Sequence, residues 1–207
     1  MTVAHMPDHS RMRVDLFSDA VFAVAITLLV LNLPVTNVSG SLLSALAERW
    51  AAFAAFGISF VIIGCVWVSH FRLFRTVEKV DERLLFLNLA LLLTIVLVPF
   101  GTSTMATFVT RPDAQSHPAA ALFAGTMVLM GLAFAALYSY VNPPRHQPAS
   151  VPQTLGARLA QLRPMTGLFV NTVGIGVAFI SPIAVLVMTA SVALFYIFDE
   201  LTCHANS

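Results

Sequence analysis

Charge is what this sequence has least of. Only 10% of its 207 residues are Asp, Glu, Lys or Arg, while 58% are hydrophobic. Soluble domains carry about 25% charged residues, because water must solvate their surface. An exterior this poor in charge would aggregate in water, so it must face a lipid bilayer. The net charge is +1 with histidines neutral, and no basic block occurs. Little is therefore available to neutralise phosphates, and no nucleic acid is expected as a partner. The two cysteines, Cys65 and Cys203, provide neither a disulfide framework nor metal-ligand spacing, and no cofactor is implied. Low-complexity tracts and compelling internal repeats are also missing. Ionisable groups near membrane depth reduce to Asp19 and His70, with no second acid, nucleophilic serine motif or metal-spaced histidines. Catalysis needs several such groups within reach of one another, so an enzyme is not expected. His117 is expected in a solvated outer loop.

Asp, Glu, Lys and Arg vanish altogether from 20–47, 50–71, 84–110, 114–144 and 164–198. A membrane-spanning helix needs roughly 20 apolar residues, so each of the first four runs supplies one span plus some loop. The last would be about 52 Å long as a single helix, too long for one crossing. Ser181-Pro182 stands in its middle, and proline suits the first turn of a helix but disrupts an interior. The run therefore divides there. The expected architecture is an all-α integral membrane protein, a six-transmembrane-helix bundle forming a single domain over 1–207. Its helices are predicted at about 14–34, 50–72, 83–109, 119–141, 165–180 and 182–199.

Basic residues favour the cytoplasmic side of a membrane. With the N-terminus inside, Arg11, Arg13, Arg72, Arg75, Lys79, Arg83, Arg145, Arg158 and Arg163 are cytoplasmic, and only Arg49 and Arg111 lie outside. The expectation is a multi-pass protein of the cell membrane with both termini cytoplasmic. A cleaved signal peptide is disfavoured, because Asp15 and Asp19 precede an apolar stretch too long for one.

The first helix carries most of the information. At about 100° per residue, Phe17, Ala20, Val24, Thr27, Leu28 and Leu31 share one sector roughly 100° wide, with Thr27 its only polar member. Asp19 points elsewhere, more than about 100° from Val24. A carboxylate at this depth should face the bundle and find partners; Arg13, His70 and Asn88 are the candidates. Trp67 shares a helix face with His70 at i, i+3, which favours a packed polar cluster there. The apolar stripe itself has two readings, ordinary helix packing or the wall of a pore. Rings of Val or Leu from several subunits gate by dewetting, and a threonine ring helps coordinate a permeating ion.

Arg13, Phe17, Ser18, Asp19 and Ala23 together form Arg-x-x-x-Phe-Ser-Asp-x-x-x-Ala. Asn88-Leu89 is followed by an apolar run and then Val98-Pro99-Phe100. In these features the chain resembles the prokaryotic branch of the lysosomal potassium channel family, whose first and third helices carry such motifs. The resemblance covers essentially the whole chain. It implies a homotetrameric, potassium-preferring cation channel in the lipid bilayer, with the pore lined by the first helix of each subunit. That family lacks the carbonyl filter of better-known potassium channels, and no Thr-Val-Gly-Tyr-Gly run occurs here. Carried over by position, Val24, Leu28 and Leu31 are the pore constriction and Thr27 the selectivity layer, which places the potassium pathway at Val24 and Thr27. Arg13, Phe17, Ser18, Asp19, Trp67, His70 and Asn88 are the inter-helix network, with Asp19 architectural rather than ion-coordinating. The family's constriction is usually isoleucine or leucine, so Val24 departs from the pattern toward a wider, weaker closure.

The alternative is a small secondary transporter of a cation or small solute. Transporters break helices near the midplane around a site, and Gly167, Gly174, Gly176 and Pro182 provide residues for such a break.

Overall fold

The structure is a computed structural model that describes residues 9–31, 33, 41–77, 79–110, 114–142 and 155–205. Within them the chain is helical throughout, with no strand. Long helices α1 (His9–Val30), α3 (Trp50–Phe74), α4 (Glu82–Phe108), α5 (Ser116–Val141), α6 (Leu155–Ala178) and α7 (Pro182–Ala205) are joined by a short α2 (Leu42–Glu48). Helices α3, α4 and α5 are each long and apolar enough to cross a membrane, and α6 and α7 carry shorter apolar segments over Thr166–Ala178 and Pro182–Phe198.

Local chemistry sets the helix starts. Asp81 caps α4 by accepting from Leu84 N–H at 2.9 Å, and Glu82 adds an acid to the first turn, where the helix dipole favours it. Ser41 caps α2 by accepting from Ser44 N–H at 3.2 Å. At α7, Pro182 occupies the first helical position and Ser181 Oγ accepts from Ala184 N–H at 3.3 Å.

Several boundaries differ from the sequence expectation. Helix α1 starts at His9 rather than near 14, and α6 starts at Leu155 rather than near 165. Counting charge-free residues finds where a helix enters lipid, whereas these helices continue past that level into water. Arg11 and Asp15 pair at 3.7 Å on the extra turn of α1, an i, i+4 contact that supports an exposed helix. The C-terminus of α1 falls at Val30, short of the expected 34, because Pro34 disfavours helical geometry at the residue before it. The unexpected α2 uses apolar residues left over from the first charge-free run. His117 also departs from expectation. It lies in the first turn of α5, and its Nδ1–H donates to Ala178 O at the end of α6 at 2.8 Å.

Helices α4 and α5 form the centre. Leu91, Ile95, Val98 and Met105 of α4 meet Ala120, Phe123, Ala124 and Met127 of α5 in one buried core. Gly101 permits the closest approach, since a Cβ there would stand 2.7 Å from Thr126 Oγ1. Thr102 answers Ser59 of α3 across a 2.7 Å hydrogen bond. Helix α1 lies at the rim against α3 and α4, while α6 and α7 close the other side over α5 and α3. Phe60, Phe86, Leu93, Phe100, Phe169 and Val187 are exposed on the outer surface, the pattern of a body solvated by lipid.

One end of the bundle is basic. Arg11 Nη1 donates to Val77 O at 3.3 Å, and the Tyr140 hydroxyl donates to the Asp81 carboxylate. These contacts draw the start of α1, the α3–α4 turn and the end of α5 together. Arg72, Arg75, Lys79 and Arg83 belong to the same end.

Candidate functional site

Helix α1 has two faces of opposite character. Ser18, Phe22, Ala25 and Leu29 recur at i, i+4, i+7 and i+11, one side of a helix, and all are at most 1% exposed. The far side carries Phe17, Ala20, Val24, Thr27, Leu28 and Leu31, every one of them exposed. Val24 is 55% exposed and Leu31 75%. The stripe marked out by helical periodicity is therefore the side of α1 that this bundle leaves uncovered.

Thr27 interrupts that apolar stripe with one oxygen. Its hydroxyl donates to Val24 O one turn earlier at 2.8 Å. A hydroxyl has one proton and two lone pairs; with the proton turned to the backbone, the lone pairs face away from the helix. That is the polarity a cation requires.

The covered face is anchored by a buried hydrogen-bond chain. Asn88 Nδ2 of α4 donates to Ser18 Oγ at 2.9 Å, and His70 of α3 lies 2.9 Å from Asn88 Oδ1 through its Nε2. An amide oxygen only accepts, so Nε2 carries the proton. Ser18, His70 and Asn88 are each at most 2% exposed. The His70 ring is held between Phe22 of α1, at 5.5 Å between centroids, and Phe74 of α3, at 4.2 Å. Three helices are thus joined at one depth, and unpaired polar groups there would cost about 1–3 kcal/mol each.

The proposed inter-helix network is accordingly split. Ser18, His70 and Asn88 come together in the buried chain. Asp19 does not join them, and it meets neither of the partners expected from His70 and Asn88. Its Oδ1 accepts from Trp67 Nε1 at 2.8 Å on the exposed flank of α1 and α3. The reason is angular: Ser18 points into the groove between α3 and α4, and the next residue is turned about 100° away. Arg13 stands outside the cluster and exposed. Six residues before Asp19, it lies about 120° round the helix from it. Phe17, 54% exposed, likewise takes no place in the buried chain and belongs with the uncovered stripe. The aromatic clasp of Phe22 and Phe74 on His70 was not anticipated, although Phe22 shares the face of Ser18 at i+4.

Helix α6 runs unbroken through Gly167, Gly174 and Gly176, and the chain turns only at 179–181, beyond its end. A discontinuous helix of the transporter kind is not formed at these residues.

Comparisons with known proteins bear on the family and the fold. A family model described as "Endosomal/lysosomal potassium channel TMEM175" matches residues 13–99, which hold the stripe and the whole hydrogen-bond chain. A Streptomyces collinus protein named a potassium channel is 38% identical over 191 residues, covering 91% of this chain and 92% of that one. The Rattus norvegicus protein named endosomal/lysosomal proton channel TMEM175 is 37% identical over 98 residues, 44% of this chain and 19% of its own length. The crystal structure of a lysosomal potassium-selective channel TMEM175 homolog from Chamaesiphon minutus superposes with a TM-score of 0.80 at 28% identity, covering 92% of this chain and 98% of that chain. With a near-full-length relative at this identity and the same helical architecture, the chain belongs to the TMEM175 potassium-channel family.

Proposed function

We propose that this protein is a potassium-preferring cation channel in which four identical chains surround a central pore lined by α1. The observation that carries the proposal is the two-faced α1: one side locked by Ser18, Phe22, Ala25 and Leu29, the other uncovered along Phe17, Val24, Thr27, Leu28 and Leu31. A single rim helix cannot enclose an ion path, so the path requires copies related by rotation, with the same face of each turned to the axis. Val24 then forms the narrowest apolar ring, Leu28 and Leu31 the rings beyond it, and Thr27 an oxygen layer between them. Potassium passes Val24 and Thr27 by shedding part of its hydration, compensated by hydroxyl oxygens, while the apolar rings dewet when closed. Asp19 serves architecture, through Trp67, rather than ion binding. The basic end faces the cytoplasm under the positive-inside rule, which puts both chain termini on that side of the cell membrane.

The test uses purified protein in liposomes, with Cys65 and Cys203 replaced by serine and single cysteines introduced on α1. Cysteines at 24, 27 and 28 are expected to react with a water-soluble thiosulfonate and block potassium flux, while cysteines at 22 and 25 stay unreactive. The reverse pattern would place the pore elsewhere. Potassium flux well above sodium flux is expected in the same liposomes; a proton flux that dominates both would replace potassium as the conducted ion.

A further inference from the structure

A cavity of about 350 Å³ lies inside each chain, between α3, α5, α6 and α7 and away from α1. We infer that it is a binding site for a compact, uncharged apolar molecule carrying one hydrogen-bonding group, which Ser69 would meet. This inference does not depend on the conduction proposal.

The walls exclude charge. Toward the middle of the helices the cavity is lined by Ile62, Val66, Met127, Met130, Leu168 and Val192. All four helices contribute here from lengths without Asp, Glu, Lys or Arg: 50–71 in α3, 114–144 through α5, and 164–198 across α6 and α7. An ion seated at this depth would find no counter-charge, and burying it unpaired is costly. Arg72 stands nearer the end of α3 and is already engaged within the protein, so it does not choose the ligand. Methionine walls adapt to the outline of an apolar guest.

Several polar groups along the cavity are already spent. Asn171 Nδ2 donates to Gly167 O at 2.8 Å, and its Oδ1 accepts from Thr189 at 3.1 Å. The Thr76 hydroxyl donates to Leu73 O at 2.7 Å, and Tyr196 is engaged against Gly167. Ser69 is different. Hydroxyls in helices commonly return their proton to a carbonyl one turn back, as Thr126 does to Phe123 O at 2.7 Å. Ser69 is half-buried on the cavity wall, and its hydroxyl has no hydrogen-bond partner among the described residues. It therefore offers one proton and two lone pairs beside apolar walls, which a hydroxyl or carbonyl on an otherwise apolar body matches. The volume is near the lower end of the about 300–1,000 Å³ typical of small-molecule sites, and an uncharged guest of this kind is concentrated by the bilayer itself.

Equilibrium dialysis of the protein in lipid nanodiscs, against empty nanodiscs at neutral pH, tests this with three probes sharing a biphenyl body: 4-phenylphenol, 4-phenylbenzoate and 4-phenylbenzylammonium. The phenol is expected to saturate at one molecule per chain above the uptake of empty nanodiscs. Neither the anion nor the cation is expected to do so. Ser69→Ala should weaken binding of the phenol about fivefold, the loss of one uncharged hydrogen bond. Met130→Trp should fill the deeper part and abolish saturable uptake from a chain that still elutes like the parent on size exclusion. Uptake no greater than that of empty nanodiscs, as when a lipid tail holds the space, would overturn the inference. So would equal binding of either ion, or unchanged affinity in Ser69→Ala.

Discussion

Val24 and Thr27 differ by one turn of helix and have opposite relations to water. A ring of valine side chains repels water until the pore is wide enough to stay wet, and a hydroxyl removes that threshold. Val24→Ser should therefore raise single-channel conductance by about twofold or more and shift the reversal potential toward zero in a potassium–sodium gradient. Planar-bilayer recordings indistinguishable from the parent would remove Val24 from the constriction. Thr27→Val keeps the shape and deletes the oxygen. It should preserve conduction while lowering preference for potassium. Asn88 acts differently, because it holds the helix and not the ion. Asn88→Ala leaves Ser18 and His70 buried without their shared partner, a loss of about 2–4 kcal/mol, visible as a lower unfolding temperature in detergent. Ion preference among the molecules that remain folded should be unchanged.

Between elements, one tight constraint is the crossing of α4 and α5. A Cβ on Gly101 would collide with Thr126 Oγ1, and the Thr126 hydroxyl is itself tied to Phe123 O at 2.7 Å. Gly101→Ala should cost about 1–3 kcal/mol, as overpacking does, and Thr126→Ala in the same chain should return most of it. Thermal unfolding of the single and double variants gives the comparison. Asp81 ties the same two helices at the basic end. The Tyr140 hydroxyl, followed by Leu84 N–H, holds its carboxyl below the usual carboxylate range. A carboxyl with a lowered folded-state pKa contributes stability that is complete above its unfolded value and is lost as pH falls through the folded value. Unfolding temperature should then show no Asp81-dependent change between about pH 5 and 8, with the loss confined to stronger acid. Tyr140→Phe, lacking the main cause, should move that loss to higher pH.

At this level it is also clear what the sequence could convey. Missing charge marks the lipid-embedded lengths, and Ser181-Pro182 marks the start of α7, because solvation and the proline ring act locally. Helix ends beyond the membrane were not legible, since Arg11 and Asp15 are as compatible with a helix in water as with a loop. The same limit governs the site. Helical angle alone separates the Val24 stripe from Asp19. The choice of Trp67 as the partner of Asp19, however, depends on how α3 is rotated against α1, and that follows from packing around His70 and Phe22. No spacing within one helix encodes it.

For the whole molecule, the proposed pore requires assembly. Light scattering of the detergent-solubilised protein should give a protein mass near four times the 22.3 kDa chain. A monomer that still conducts would contradict the shared pore. Helix α1 rests on α3 and α4 at the rim of its bundle, so every subunit would supply one side of a common wall. Damage to that wall cannot be compartmentalised. If intact and defective chains are made in equal amounts and mix at random, only about one assembly in sixteen escapes a faulty side. Variants of the stripe should therefore poison their neighbours when co-expressed, whereas variants that abolish folding should merely lower the yield.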